Sequence, residues 1–193
     1  MLGLKLATDP RWVDIVDKSI EDILVDHAYC EQKAASTCIS IIIAYPDKKE
    51  VVDALTPIVS EEWGHFRMVL HQLDKRGFSL GAMRKDNYVA ELYKLLRSGG
   101  SRDDRLVEKL LMCAIIEARS CERFRLLSEN IQDDELKEFY KELMISEAGH
   151  YRLFLDLAKT IKSEEIVKAR FQDLLSQEVK IFDIIPLRGD RIH

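Results

Sequence analysis

The sequence predicts an all-α fold: two helical hairpins joined by a long link, with a further helix after them. Three observations carry that prediction. Apolar residues recur at three-to-four spacing over long stretches. Only 8 Gly and 4 Pro punctuate 193 residues, too few for a loop-rich all-β chain. One segment of different texture, residues 77–102, separates the second helical pattern from the third. At 193 residues, 47% apolar and 33% charged, the chain is expected to form a single domain over 1–193 with a self-sufficient core, and disorder is a poor fit.

Asp9-Pro10 opens the first helix, because the carboxylate can cap and proline at the first helical position forfeits no hydrogen bond. Trp12, Ile15, Val16, Ile20, Ile23 and Leu24, then Ala28, Ala35 and Cys38, continue the spacing to Tyr45, which predicts one long helix. Pro46-Asp47 ends it and starts a second, from Lys48 to Arg76, halted by Gly77. Pro57 lies inside this second pattern, where it removes one backbone hydrogen bond and is expected to kink the helix. Residues 77–102 hold Gly77, Gly81, Gly99 and Gly100 and read as a crossover with a short helix at 87–96. The third long helix runs from Asp103 to Asn130, the fourth from the Gln132-Asp133-Asp134 cap to Thr160, and the extra C-terminal helix from Ser163 or Glu164 to Phe182. A long connection between helices 2 and 3 is the mark of a ferritin-like four-helix bundle, since an up-down-up-down bundle uses short loops throughout.

The longest apolar run, Cys38 to Tyr45, is broken by Ser40 and falls far short of the roughly 20 residues a bilayer requires, so no membrane role is expected. Cys30, Cys38, Cys113 and Cys121 form no C-x-x-C pair, and no secretory pattern opens the chain, which points to the reducing cytoplasm. Formal net charge is −5, from 34 acidic against 29 basic residues, and at face value argues against a generic polyanion binder.

The chemistry lies in an internal repeat. Glu62-Trp63-Gly64-His65 and Glu147-Ala148-Gly149-His150 are both Glu-x-x-His, and Glu31 and Glu117 precede them by 31 and 30 residues. A three-residue helical step turns about 300°, so each Glu and His share a face about 4.5 Å apart along the axis and can grip one metal. Each upstream glutamate stands as far before its hairpin turn as the paired Glu-x-x-His stands after it, which brings them level. Facing hairpins would collect four carboxylates and two imidazoles, the ligand set of a carboxylate-bridged di-iron or di-manganese centre: Glu31, Glu62, His65, Glu117, Glu147 and His150. Two divalent ions would bring the formal charge to about −1, so the acidic sum reports a metal site and no longer excludes RNA. A lone Glu-x-x-His on a helix is usually a solvent-facing pair; the matched repeat is what separates these from that reading.

His27, four residues before Glu31, shares its face and is expected either to orient that carboxylate or to sit as a core histidine. Glu61 and Glu122 break the matched spacing and are expected beside the ligands or on the surface. Trp12, Trp63 and the five methionines are expected in the core, the cysteines as buried small hydrophobes, and His71 and His193 away from the site.

Four stretches, 26–37 (Asp-His-Ala-Tyr-Cys-Glu-Gln-Lys-Ala-Ala-Ser-Thr), 61–66 (Glu-Glu-Trp-Gly-His-Phe), 116–124 (Ile-Glu-Ala-Arg-Ser-Cys-Glu-Arg-Phe) and 146–151 (Ser-Glu-Ala-Gly-His-Tyr), resemble the bacterial tRNA 2-methylthio-N(6)-isopentenyladenosine hydroxylases. The resemblance covers nearly the whole chain and implies that the six ligands bind two iron ions. It also implies O2-dependent hydroxylation of the isopentenyl group on the adenosine beside the anticodon, with electrons from a reductase or ferredoxin-type protein. The tRNA anticodon stem-loop would then meet local basic clusters, for which Arg84, Lys85, Arg97, Arg102, Arg119 and Arg123 are the candidates. Two other classes compete: another ferritin-like di-iron protein such as a ferroxidase or peroxidase, and a metal-free helical interaction module.

Overall fold

Seven helices account for most of residues 2–193, the part of the chain that the computed structural model describes. They are α1 (Arg11–Val16), α2 (Ile20–Ala44), α3 (Lys49–Lys75), α4 (Asn87–Leu95), α5 (Arg102–Asn130), α6 (Asp134–Ile161) and α7 (Glu164–Ile181). Two compact units are present. The first comprises residues up to Val13, Asp86–Leu187 and His193; the second comprises Asp14–Lys85 and Arg188–Ile192.

The second unit is the α2–α3 hairpin, closed by the short turn at Tyr45 to Lys48, where the Tyr45 N–H bonds the Ile41 carbonyl at 3.0 Å. Its buried stripe includes Leu24, Ala28, Ala35, Cys38 and Ile41 from α2 with Val51, Leu55, Ile58, Val69 and Leu73 from α3. α3 continues through Pro57 without interruption. The single long first helix expected from periodicity is instead two: α1 ends at Val16 and α2 starts at Ile20. The Asp17-Lys18-Ser19 break is held by turn bonds, Lys18 N–H to Ile15 at 3.2 Å and Ser19 N–H to Val16 at 2.8 Å. Beside it passes the tail at Gly189, where a Cβ would lie 2.5 Å from the Ile15 side chain, so glycine is the residue that fits.

The first unit is built on the α5–α6 hairpin with α4 and α7 packed against it. α5 opens on a full capping box: Ser101 Oγ accepts from the Asp104 N–H at 3.1 Å and Asp104 Oδ2 accepts from the Ser101 N–H at 2.7 Å. Asp133 caps α6 through the Glu135 and Leu136 N–H groups, as its position in the sequence suggested. α5 and α7 are clasped by Arg170, whose Nε and Nη2 bond the two Glu108 oxygens at 2.6 and 2.7 Å.

Trp12 and Met112 are buried, but Trp63 is 49% and Met83 59% exposed, so the expectation that every tryptophan and methionine serves the core fails at these two; Met68 and Met144 are half-buried, and Met1 lies outside the described residues. All four cysteines are free thiols; Cys38 and Cys113 are buried, whereas Cys30 and Cys121 are partly exposed. No helix among the described residues is long and apolar enough to cross a membrane.

Candidate metal centre

In the second unit, α2 carries Glu31 inward and α3 carries Glu62 and His65 one helical turn apart. The Nδ1 of His65 lies 3.3 Å from Glu62 Oε2 and 3.5 Å from Glu31 Oε2. His27 is completely buried, and its Nε2 stands 2.6 Å from Glu31 Oε1, which fixes that carboxylate from behind. In the first unit the same figure recurs: His150 Nδ1 lies 3.3 Å from Glu147 Oε2, and Glu117 reaches them from α5. One ligand atom from each of Glu31, Glu62 and His65 lies within 4.8 Å of the others, and the same holds for Glu117, Glu147 and His150.

These six side chains are buried, none more than 9% exposed. Carboxylates are rarely withdrawn from water without a compensating cation. Ligands bonded at about 2.0–2.3 Å to one ion lie at most about 4.6 Å apart, and the His–Glu separations of 3.3 Å in each triad, with 3.5 Å from His65 to Glu31, fall inside that reach. Two carboxylates and one imidazole, with no thiolate, match iron or manganese better than a structural zinc site.

The remaining residues singled out in the sequence fall into two groups. Lys85, Arg97 and Arg102 are exposed. Arg84 is committed to the tail, donating to Asp22 Oδ1 at 2.7 Å, the Asp22 carbonyl at 2.6 Å and Asp190 Oδ2 at 3.4 Å. Arg119 and Arg123 are corrections, because they are 0% and 5% exposed and do not present their charge to a phosphate backbone. Arg119 Nη1 donates to Glu122 at 2.6 Å and Nη2 to Glu178 at 2.7 Å, and its guanidinium lies over Phe182. Arg123 lies over the Trp12 ring at 4.8 Å; burial, with Arg119 nearby, pushes its guanidinium down to about 10. Glu122 is held by the Thr8 N–H and hydroxyl, both at 2.7 Å, while Glu61 is exposed.

Sequence reasoning missed this buried network and its continuation. Tyr88 donates to Glu178 at 2.8 Å, and burial, followed by the Glu178 charge, pushes its hydroxyl well above the ordinary range. His193 is buried, stacks on Tyr88 and bonds the Ser120 hydroxyl at 2.8 Å, whereas His71 is exposed. No spacing rule marks a histidine outside any helix, and inward-facing arginines look like an ordinary solvated helix face until their partners are seen.

Comparison with known proteins joins these observations. A Pseudomonas putida protein named tRNA 2-(methylsulfanyl)-N(6)-isopentenyladenosine(37) hydroxylase is 34% identical over 193 residues, covering 95% of this chain and 93% of its own. A Salmonella typhimurium protein of the same name is 34% identical over 121 residues, which span 63% of this chain and 44% of that protein. Among solved structures, a Synechococcus protein with aldehyde deformylating oxygenase activity matches with a TM-score of 0.92 and 33% identity, over 98% of this chain and 94% of that one. The fold is therefore the all-helical, ferritin-like one that the long crossover predicted. The family model described as tRNA-(MS[2]IO[6]A)-hydroxylase (MiaE) matches residues 2–193, the same span that carries both triads, and the chain belongs to that family.

Proposed function

We propose that the chain is an O2-dependent hydroxylase that converts the isopentenyl group of 2-methylthio-N(6)-isopentenyladenosine, beside the tRNA anticodon, into its hydroxylated form. The observation that carries this reading is the pair of buried Glu, Glu, His triads, one per hairpin, in a chain matched along its length by the MiaE family. In this reading residues 1–193 work as one catalytic domain. Glu31, Glu62 and His65 would hold one iron, and Glu117, Glu147 and His150 the second.

A bound di-iron centre supplies the two-electron activation of O2 that an allylic C–H bond requires and that acid–base side chains alone cannot deliver. The balance is one C–H bond, O2, two electrons and two protons in; one C–OH and one water out. The electrons come from outside, from a reductase or ferredoxin-type protein. The chain's own residues do the holding. His27 steadies the Glu31 carboxylate, while the anticodon loop, as single-stranded RNA, is read from outside. Exposed Lys85, Arg97 and Arg102 are the retained candidates for phosphate contacts. The cytoplasm, where tRNA is found, is the compartment this substrate assigns.

A second reading is favoured by the Synechococcus structure: an oxygenase of the same build acting on an aldehyde. One experiment separates them. Iron-loaded protein is incubated in air with a reductant and with tRNA bearing the prenylated adenosine, and the digested nucleosides are weighed by mass spectrometry. A gain of one oxygen atom on that nucleoside is expected. No gain, with turnover of an aldehyde under the same conditions, would give the chain to the second reading.

A further inference from the structure

Trp63 is one of two tryptophans and the exposed one, at 49% against 0% for Trp12. It stands between Glu62 and His65 in the chain, so its ring and two of the proposed iron ligands share one rigid turn of α3. Phe66 backs it, with ring centroids 4.9 Å apart at a tilt of 39°.

The face around Trp63 has an unusual charge pattern for this chain. Within about 60° of it on the helical wheel, from residue 56 to residue 70, lie Thr56, Val59, Ser60, Phe66, Arg67 and Leu70. Over these four turns that is one exposed guanidinium and no carboxylate; the next acidic residue on this face is Asp74, one turn further on. Beside the ring, Gly64 leaves the helix flank open, because a Cβ there would meet nothing within 4 Å.

Size decides what such a face can receive. A half-exposed indole offers about 100 Å², whereas a stable dimer needs about 800 Å² from each partner. The patch is one aromatic pair wide, the width of a nucleobase, and its lone arginine favours a phosphate backbone alongside. We propose that Trp63, backed by Phe66 and flanked by Arg67, is the stacking platform for an unpaired base of the anticodon loop, a base other than the one hydroxylated. This rests on the tRNA reading above and sharpens it: the platform would set the register at which the neighbouring prenylated base enters.

The test uses the iron-loaded full chain, Trp63→Ala and Trp63→Phe, titrated with an anticodon stem-loop RNA while tryptophan emission and RNA anisotropy are followed. Stacking on Trp63 quenches the wild-type emission; Trp12, being buried, does not respond. Trp63→Ala is expected to raise the Kd about 5- to 100-fold, and Trp63→Phe, which keeps a ring, to recover most of that loss without the quench. Both variants should retain wild-type iron content and circular dichroism. Binding by Trp63→Ala within twofold of wild type, or binding without quenching, overturns the platform and leaves the tRNA reading intact. A wild-type dimer that Trp63→Ala converts to monomer gives the face to a second copy and overturns it too. Failure of the wild-type protein to bind the RNA at all removes both readings together.

Discussion

His27 shows how much a single side chain can contribute without touching substrate. It is fully buried four residues before Glu31, and its Nε2–H to carboxylate bond of 2.6 Å selects one orientation of that ligand. Losing such a support leaves the carboxylate free to rotate and typically lowers metal affinity 10- to 100-fold. His27→Ala is therefore expected to hold iron about 10-fold or more weaker, measured by competition with a chelator, with the fold intact by circular dichroism; wild-type affinity would reduce His27 to a packing residue. The six proposed ligands were legible in the sequence because a metal pair imposes spacing on both hairpins at once. Arg119, Arg123 and Trp63 were not legible, for one physical reason: helical periodicity says which residues share a face, not whether a cation finds Glu122 and Glu178 inside or whether a ring is left in water. A charge inward and an aromatic outward both break the usual partition, and each break coincides with a polar network or a candidate contact.

At the scale of elements, caps and clasps were partly legible. The Asp133 cap could be read from sequence, and the boundaries of α3 to α7 follow from glycine, proline and polar punctuation. The gap between α1 and α2 could not, because Asp17-Lys18-Ser19 contains neither Gly nor Pro and the apolar spacing runs across it, while the tail that passes close to Ile15 at Gly189 is a tertiary neighbour that no local pattern reveals. The α5–α7 clasp is likewise a tertiary fact, and it carries a pH dependence. Burial pushes the Glu108 carboxyl up, but the Arg170 bonds, the Arg97 N–H and their charges outweigh it and hold Glu108 below its ordinary 4.5. A carboxyl with a depressed folded-state pKa leaves the unfolded chain binding more protons, so its stabilisation is present above pH 4.5 and fades as pH falls through the folded value. Glu108→Gln is expected to lower unfolding free energy by about 2 kcal/mol at pH 7, with the gap to wild type closing as pH falls below the ordinary 4.5 and through the lower folded value. Urea titrations at several pH values measure this, and a gap that stays constant down to pH 3 would mean the clasp acts through shape alone.

For the whole molecule, the same six residues that give the chain its proposed chemistry are a burden on its stability. Four glutamates are buried, each at most 6% exposed, and they account for most of the formal charge of −5. Without cations, each triad crowds two carboxyl groups into less than 4.8 Å, where like charges in a poorly solvated pocket repel. A divalent ion in each triad replaces that repulsion with attraction, and because the unfolded chain cannot assemble either triad, binding energy becomes folding energy. Metal at about 100 times its Kd adds about 2.7 kcal/mol per site, which for a chain of this size is a Tm increase on the order of 5–10 °C. The expected result is a melting temperature that climbs with ferrous iron or manganese under anaerobic conditions and levels off at two ions per chain. Glu147→Ala should remove much of that increase while raising the Tm of the metal-free protein, since it takes a buried charge away from Glu117 without a ligand to lose. If metal leaves the wild-type Tm unmoved, or if Glu147→Ala lowers the metal-free Tm by as much as a core truncation does, the triads are ordinary buried polar clusters and the hydroxylase reading loses its centre.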